Sequence, residues 1–212
     1  MSYLQFEKKA LFEQQDILQN EYLRTNPAGC FCGSTLLQSN TRKYHGLLVV
    51  PLEELDGGHH VLLSGVAETL VTGEGETHIA MNQYPGVAPD GLQYISSAAA
   101  EPTPTVVYKA GKTELKKEII LDREEARVYI RYTLIKAPAG TKLRVHPFLS
   151  FRNIHSLSKA NGDVSKVHDP VKNGICTSLY DGYPGLYLQF SRKNEFVAAP
   201  DWFYNVEYQK EK

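Results

Sequence analysis

A short polar segment leads directly into an apolar run that begins at Leu47. The segment contains Thr41, Arg42, Tyr44 and His45, whose side chains could line a cleft at the entrance to a buried strand. Arg and His can donate hydrogen bonds to sugar hydroxyl groups, and a tyrosine ring can stack on a pyranose face. The alternative is a structural role, in which Arg42 pairs with an acidic side chain and His45 hydrogen-bonds to its loop backbone, because buried polar groups generally need such partners.

Four other side chains are candidates for lining the same cleft. Asn26 lies in a polar turn, and Arg152 and His155 follow an alternating segment later in the chain. We expect Arg152 and His155 to join the first segment in one polar cluster. Trp202 is the only tryptophan, and it could stack on a sugar or pack against another domain.

Cys30 and Cys32 form a possible metal-binding pair, but a lone pair lacks the four ligands of a structural zinc site. We therefore expect small buried thiols there, with no bound metal and no cofactor. The chain has 3 cysteines, an odd and low number that does not suggest a disulfide framework. Such cysteine usage is typical of the reducing cytoplasm. The mixed, polar residues 1–20 do not resemble a signal peptide.

The charge balance and the lengths of the apolar runs argue against two classes of partner. With 23 basic and 24 acidic residues the net charge is −1, whereas nucleic-acid-binding proteins usually carry a basic excess that neutralises phosphates. No apolar run approaches the roughly 18 residues of a membrane span. We therefore expect neither a nucleic acid nor a membrane as a partner, and a neutral ligand such as a sugar requires no charge bias.

The elements that must position these side chains are strands almost throughout. Residues 127–134 alternate with period two, which is typical of a half-buried strand. The alternation places these side chains on one face: Val128, Ile130, Tyr132 and Leu134. Residues 115–121 alternate likewise, with Lys117 on the apolar face, and residues 46–50 and 61–63 are dense enough in apolar side chains to be central strands. Only residues 6–18 could form a helix. The pattern predicts one all-β domain over residues 1–212, a large antiparallel β-sandwich.

The polar segment also carries a resemblance to a known family. The string Asn-Thr-Arg-Lys-Tyr-His-Gly-Leu-Leu at Asn40–Leu48, together with Glu-Tyr-Leu at 21–23 and Thr-Asn at 25–26, resembles the N-terminal domain of bacterial-type and archaeal-type glycogen debranching enzymes, the amylo-α-1,6-glucosidase family. Weaker similarity continues in three later blocks: Leu62–Ser64 with Glu68, His146–Leu149 with Arg152 and His155, and Asp201–Tyr204 with Tyr208 and Glu211.

The resemblance implies a supersandwich-like domain that precedes a catalytic (α/α)6 barrel in the same polypeptide. Such a domain would pack on the barrel and shape the cleft for an α-glucan such as glycogen, while the catalytic carboxylates would lie in the barrel. We therefore expect the 212 residues alone to be inactive. Two alternatives remain: a free-standing carbohydrate-binding module, and a purely structural or interaction domain. The aromatic and then charged run at 202–212 favours a missing partner surface over a free-standing module.

Overall fold

The structure is a computed structural model that describes residues 5–13 and 19–211. These residues contain strands β1 (Gln5–Glu7), β2 (Glu21–Thr25), β3 (Phe31–Thr35), β4 (Gly46–Pro51), β5 (His59–Thr72), β6 (Gly75–His78), β7 (Ile95–Ala99), β8 (Thr105–Ala110), β9 (Thr113–Leu121), β10 (Val128–Lys136), β11 (Lys142–Asn153), β12 (His168–Val171), β13 (Gly174–Thr177) and β14 (Leu186–Gln189). They also contain helix α1 (Lys8–Glu13) and 3-10 turns at Asp90–Tyr94 and Gln209–Glu211.

Two antiparallel sheets form a β-sandwich. One has the strand order β1-β7-β8-β9-β10 and the other β11-β5-β4-β3-β2, with β6 paired to the far end of β5. Apolar side chains from both sheets meet in two clusters: one joins Leu70 of β5 to Tyr108 and Leu115 of the first sheet, and the other joins Leu48 to Ile119. The all-β antiparallel sandwich expected from the alternation is confirmed.

A buried ion pair also joins the two sheets. Lys117 of β9 places its Nζ 2.7 Å from Oε1 of Glu68 on β5, and both side chains are almost fully buried. The hydroxyl of Tyr132 on β10 donates a hydrogen bond of 2.6 Å to the same oxygen. Burial, followed by the nearby charge of Glu68, raises the pKa of Tyr132 well above its usual value. Lys117 therefore lies on the apolar face that its sequence position indicates, and its charge is neutralised there.

A smaller third sheet, of order β12-β13-β14, packs beside the sandwich. Tyr183, which precedes β14, connects this sheet to the sandwich because its hydroxyl lies 2.7 Å from Nδ1 of the buried His60. The other ring nitrogen of His60 lies 2.9 Å from Oδ1 of Asp56, and the hydrogen bond from His60, with others from Gly58 and Asn153, lowers the pKa of Asp56 to about 2.

The strand predictions are confirmed with one exception. Residues 128–136 and 113–121 form β10 and β9, and residues 46–51 form the buried central strand β4. Leu134 was expected on the core face, but it is 51% exposed because the pairing of β10 with β9 shifts between Leu134 and Lys136. Such a bulge ends the strict alternation. The predicted helix over 6–18 is present at Lys8–Glu13, and residues 14–18 lie outside the described residues.

The helices of the described residues include none that is long and apolar enough to cross a membrane.

Candidate functional site

The loop between β3 and β4, residues 36–45, carries four of the eight candidate side chains, and we call it the motif loop. Asn40 holds the loop to the sheet: its amide nitrogen donates to the backbone oxygen of Ser64 on β5, and its oxygen accepts a 2.7 Å hydrogen bond from Ser34 on β3. Gly46 follows the loop as the first residue of β4, and a Cβ atom at this position would lie within 3 Å of the side chains of Val49 and Val61. Only glycine therefore allows the loop to enter β4 at this point without displacing its neighbours.

Glu21, at the start of β2, is the centre of a group of ionisable side chains that we call the Glu21 cluster: Glu21, Arg42, His45 and Lys210. Arg42 Nε lies 2.9 Å and Lys210 Nζ 2.6 Å from Oε1 of Glu21. Burial raises the pKa of Glu21, but the hydrogen bonds from Lys210 and Arg42 and the charges of the cluster together lower it below its ordinary value. Glu21 is thus held as a carboxylate that joins β2, the motif loop and residue 210.

His45 is buried in this cluster as a neutral imidazole. The backbone N–H of Thr41 donates a 3.1 Å hydrogen bond to its Nδ1, so the ring proton is on Nε2, which lies 3.7 Å from Glu21 Oε1. Burial lowers the pKa of His45 to about 4, and Arg42 and Lys210 act in the same direction, whereas Glu21 opposes them. The contacts that the structural alternative requires, an acidic partner for Arg42 and a loop-backbone partner for His45, are therefore present in the structure.

Arg152, near the end of β11, is almost fully buried and binds backbone carbonyls. Its Nη2 donates to the oxygen of Lys43 at 2.6 Å, and its Nη1 donates to the oxygen of Ser156 at 2.9 Å. Burial lowers the pKa of Arg152 from its ordinary value, and Tyr208 and Glu211 oppose that change. The guanidinium thus connects the motif loop to the end of β11.

Tyr44 and His155 form the accessible side of the site. The Tyr44 hydroxyl lies 3.4 Å from Nδ1 of His155, and the two rings meet edge to face with their centroids 5.6 Å apart. Lys43 Nζ lies 5.3 Å from the centroid of the Tyr44 ring. Arg42 is also partly accessible, with 40% of its side chain exposed. The structure therefore brings Tyr44 and His155 into contact and leaves Arg42 accessible on the same loop as Tyr44, whereas Thr41, His45 and Arg152 are buried.

Segment 207–211 lies along this site. The backbone N–H of Lys210 donates to the Thr41 oxygen at 2.9 Å, and that of Glu207 donates to the Gln83 oxygen at 2.9 Å. Glu211 accepts a hydrogen bond from the backbone N–H of Lys43 at 3.2 Å, and its carboxylate lies 3.4 Å from Lys43 Nζ. The segment is therefore joined to the motif loop through both main chain and side chains.

The described contacts of Asn26 and Trp202 do not include a residue of the motif loop or the Glu21 cluster. Asn26 follows β2, at the opposite end of the β2–β3 hairpin from Glu21, and its amide nitrogen donates to the oxygens of Asp122 and Glu125 at 2.9 Å each. A groove of about 520 Å³ at this end is lined by its neighbours Thr25 and Pro27. Trp202 is half-buried, beside Phe203, whose ring stacks on Phe148.

The charged partners in the site were not assigned a role from the sequence. Glu21 belongs to the family resemblance, and the sequence marks it only as a carboxylate at the polar start of a strand. Lys210 is separated from Glu21 by 189 residues along the chain, and Glu211 is separated from Lys43 by 168 residues. Glu211 also belongs to the family resemblance, but no periodicity indicates a contact at such a separation, so only the fold identifies the partners of Lys210 and Glu211.

The thiols of Cys30 and Cys32 are buried and free, as expected. Burial raises the pKa of both thiols, that of Cys32 to about 11. Within residues 5–13 and 19–211, no group of three or more His, Cys, Asp or Glu side chains is placed to hold a metal ion.

His45 makes the stability of the fold depend on pH in a defined window. Its pKa of about 4 in the folded chain is below the ordinary 6.5, so unfolded chains bind the proton first as the pH falls. Stability from this group is complete above pH 6.5, and each pH unit lost between 6.5 and 4 costs about 1.4 kcal/mol, about 3 kcal/mol over the window. Urea unfolding at several pH values measures this slope.

The matched variants are His45→Asn, which keeps an acceptor for Thr41 but cannot titrate, and His155→Asn, which removes an exposed imidazole. We expect the first to flatten the slope between pH 6.5 and 4 and the second to leave it unchanged. An unchanged slope in His45→Asn would contradict the assignment.

The two-sheet architecture and the Glu21 cluster define an all-β sandwich domain in which a polar loop and segment 207–211 are held together. Residues 20–212 match a family model described as glycogen debranching enzyme N terminal. The chain therefore belongs to the family of glycogen debranching enzyme N-terminal domains, which confirms the resemblance carried by Asn40–Leu48. No curated protein and no solved structure matched the chain.

Proposed function

We propose that this chain is the non-catalytic N-terminal domain of an enzyme that hydrolyses α-1,6-glucosidic branches in glycogen-like α-glucans. Its partners would be the catalytic (α/α)6 domain of the same polypeptide and the α-glucan. The family match over residues 20–212 supports this proposal and the interpretation of the chain as one domain. The free thiols of Cys30 and Cys32 support a reducing, cytoplasmic location.

The observation that carries the proposal is the accessible group formed by Arg42, Tyr44 and His155. Arg42 uses its Nε for Glu21, which leaves the two terminal nitrogens of its guanidinium for sugar hydroxyls. Tyr44 is 38% exposed, and its ring offers a surface for a pyranose. Because the residues beneath this group are hydrogen-bonded in fixed positions, the group is preorganised for binding.

The acidic residues of the site do not suit catalysis. A glycosidase needs one carboxylic acid with a raised pKa and a second carboxylate at a suitable distance. Glu21 has a lowered pKa and is held by Arg42 and Lys210, and Glu211 is paired with Lys43. These acids therefore act as structural partners, and the proposal assigns the catalytic carboxylates to the barrel.

A purely structural role is the second candidate, and one observation favours it for part of the set. Thr41, His45 and Arg152 are all buried, and both His45 and Arg152 form hydrogen bonds with backbone groups of the domain itself. We assign these three residues to positioning the site, and we restrict contact with sugar or with the barrel to the three accessible residues. The roles of Asn26 and Trp202 in the cleft stay predictions.

The test is the activity of the enzyme that carries this domain. Arg42→Ala and Tyr44→Ala should each lower kcat/KM for α-1,6 branch hydrolysis by about tenfold or more, mainly through KM, because each removes a substrate contact worth about 1.4 kcal/mol or more. Hydrolysis of branched and linear maltooligosaccharides measures the effect, and circular dichroism checks the fold.

Two exposed residues outside the site provide matched controls. Arg144→Ala removes an arginine that is also paired with a glutamate, Glu76, and Tyr187→Ala removes an exposed tyrosine of β14. Both should leave kcat/KM unchanged. If all four variants retain full activity, the accessible group does not contact the substrate, and the structural role is the correct one.

A further inference from the structure

Phe151 of β11 has a backbone conformation that is rare for a large side chain. Its φ is +44°, in the left-handed region that favours glycine, and the residue is only 2% exposed. The ring packs edge to face on Tyr183, with the two centroids 5.5 Å apart. A bulky residue with such a φ is strained, and strain of this kind is concentrated at functional sites. The conformation of Phe151 therefore indicates a role beyond filling the core.

The strained residue lies in a β-bulge that changes the direction of the next side chain. Leu149 of β11 is paired with Leu63 of β5. Arg152, three residues further along β11, is paired with Val61, which is only two residues from Leu63. β11 therefore has one extra residue here, which defines a bulge. Because paired side chains lie on the same face of a sheet, the bulge places Arg152 on the face of Leu149. In an unbroken strand, residues three apart point to opposite faces.

In this orientation Arg152 holds the backbone beside both members of the contact between Tyr44 and His155. Its guanidinium donates to the carbonyl oxygen of Lys43, the residue before Tyr44, at 2.6 Å. It also donates to the carbonyl oxygen of Ser156, the residue after His155, at 2.9 Å. The Tyr44 hydroxyl lies 3.4 Å from His155 Nδ1. One side chain therefore fixes both segments that carry this contact.

A second bulge in the same pair of strands supplies another contact to the motif loop. Phe148 and Leu149 are adjacent on β11, but their partners on β5 are separated by Ser64, which has no partner in this pairing. The Asn40 amide nitrogen donates to the backbone oxygen of Ser64 at 2.9 Å and lies 3.1 Å from its hydroxyl. The two bulges are on opposite strands, so the original register returns at Arg152. Both irregularities thus lie where β5 and β11 hold the motif loop.

We propose that Phe151 is a positioning residue for the α-glucan site, because its left-handed backbone forms the bulge that directs Arg152 to the motif loop and keeps Tyr44 against His155. The inference rests on the proposed function, which assigns Tyr44 and His155 to the accessible group. The effect of the Phe151 backbone on the contact between these two rings is measurable without a substrate.

Substitutions of Phe151 separate the backbone conformation from the packing of the ring. Glycine and asparagine adopt a positive φ readily, so Phe151→Gly and Phe151→Asn lose the ring and keep the bulge. Phe151→Ile keeps apolar bulk, but a β-branched residue strongly disfavours a positive φ. NMR of the 212-residue chain measures nuclear Overhauser effects between the rings of Tyr44 and His155, whose centroids are 5.6 Å apart. We expect these effects to persist in Phe151→Gly and Phe151→Asn and to be lost in Phe151→Ile.

The activity of the enzyme that carries this domain should follow the same order. Phe151→Ile should lower kcat/KM for branch hydrolysis by about fivefold or more, mainly through KM, because a misplaced contact no longer binds the substrate. Phe151→Gly should lower it less, although glycine leaves the larger cavity. A side chain that only fills the core would give the reverse order.

Val145→Gly and Val145→Ile are the matched controls, because Val145 lies in the regular part of β11, opposite Glu68. Both should keep the contact between Tyr44 and His155. Persistence of that contact in Phe151→Ile, or its equal loss in Phe151→Gly, would overturn the inference. If Phe151→Ile does not fold, the glycine and asparagine variants decide: a contact that persists supports the inference, and a lost contact overturns it.

The two measurements distinguish failure of this inference from failure of the proposed function. If Tyr44→Ala lowers kcat/KM and Phe151→Ile does not, the positioning role of Phe151 is wrong and the proposed function stands. If Arg42→Ala and Tyr44→Ala both leave kcat/KM unchanged, the proposed function is wrong, and the NMR contacts alone decide whether the Phe151 backbone positions Tyr44 and His155.

Discussion

Replacing Lys117 by methionine should lower the free energy of unfolding by about 3–5 kcal/mol, because the buried carboxylate of Glu68 then has no counter-charge. Lys117 Nζ and Glu68 Oε1 are 2.7 Å apart, and each side chain is 3% exposed or less. The hydrogen bond from Tyr132 to Glu68 persists, but a single hydroxyl does not neutralise the charge. Urea unfolding followed by circular dichroism at pH 7 measures the change.

Lys116→Met is the control, because Lys116 is the preceding residue of β9, and its partner Glu118 keeps two hydrogen bonds from Arg131 when Lys116 is removed. We expect little change in stability from it, since Lys116 is partly exposed and Glu118 retains a counter-charge. The double variant Lys117→Met with Glu68→Gln should recover a large part of the loss, because no unpaired charge then remains between the sheets. A double variant as unstable as Lys117→Met alone would show that packing, and not the unpaired charge, explains the effect.

Arg152→Ala is the second substitution with a large expected effect, a loss of about 3 kcal/mol or more in the free energy of unfolding. The change removes the donors that bind the carbonyls of Lys43 and Ser156, and it leaves a cavity beside segment 207–211. Because these contacts hold the motif loop, the substitution should also accelerate hydrogen exchange, and the increase should be larger in residues 41–45 than in β9.

Arg144→Ala, on the same strand β11, is the control for this substitution. Arg144 is paired with Glu76 at the surface, so its removal should leave both stability and loop exchange almost unchanged. Equal effects of the two substitutions would mean that the carbonyl contacts of Arg152 do not stabilise the loop.

The strands could be predicted from the sequence to the extent that side chains alternate. Residues 115–121 and 127–134 could be assigned because one face of each segment is apolar, and the same pattern placed Lys117 toward the core. The exposure of Leu134 could not be predicted, because a bulge depends on how two strands pair and not on the composition of one. The partner of Lys117 could not be predicted either, since Glu68 reaches it across the sandwich.

The candidate site was predictable in part. The residue types of Arg42, Tyr44 and His45 indicated either a sugar contact or a structural cluster, and the structure confirms the structural partners of Arg42 and His45. Which of these side chains stay accessible depends on burial by Arg152 and by segment 207–211, elements that are distant along the chain.

By itself the sequence determined the class of fold, the family carried by Asn40–Leu48, and the types of side chain at the site, because these follow from local spacing and composition. Only the tertiary structure decided that Glu21 is the shared partner of Arg42 and Lys210, and that Glu68 neutralises Lys117. Both results arise from contacts between residues that are distant in the chain, and the energy of a charge depends on what surrounds it after folding.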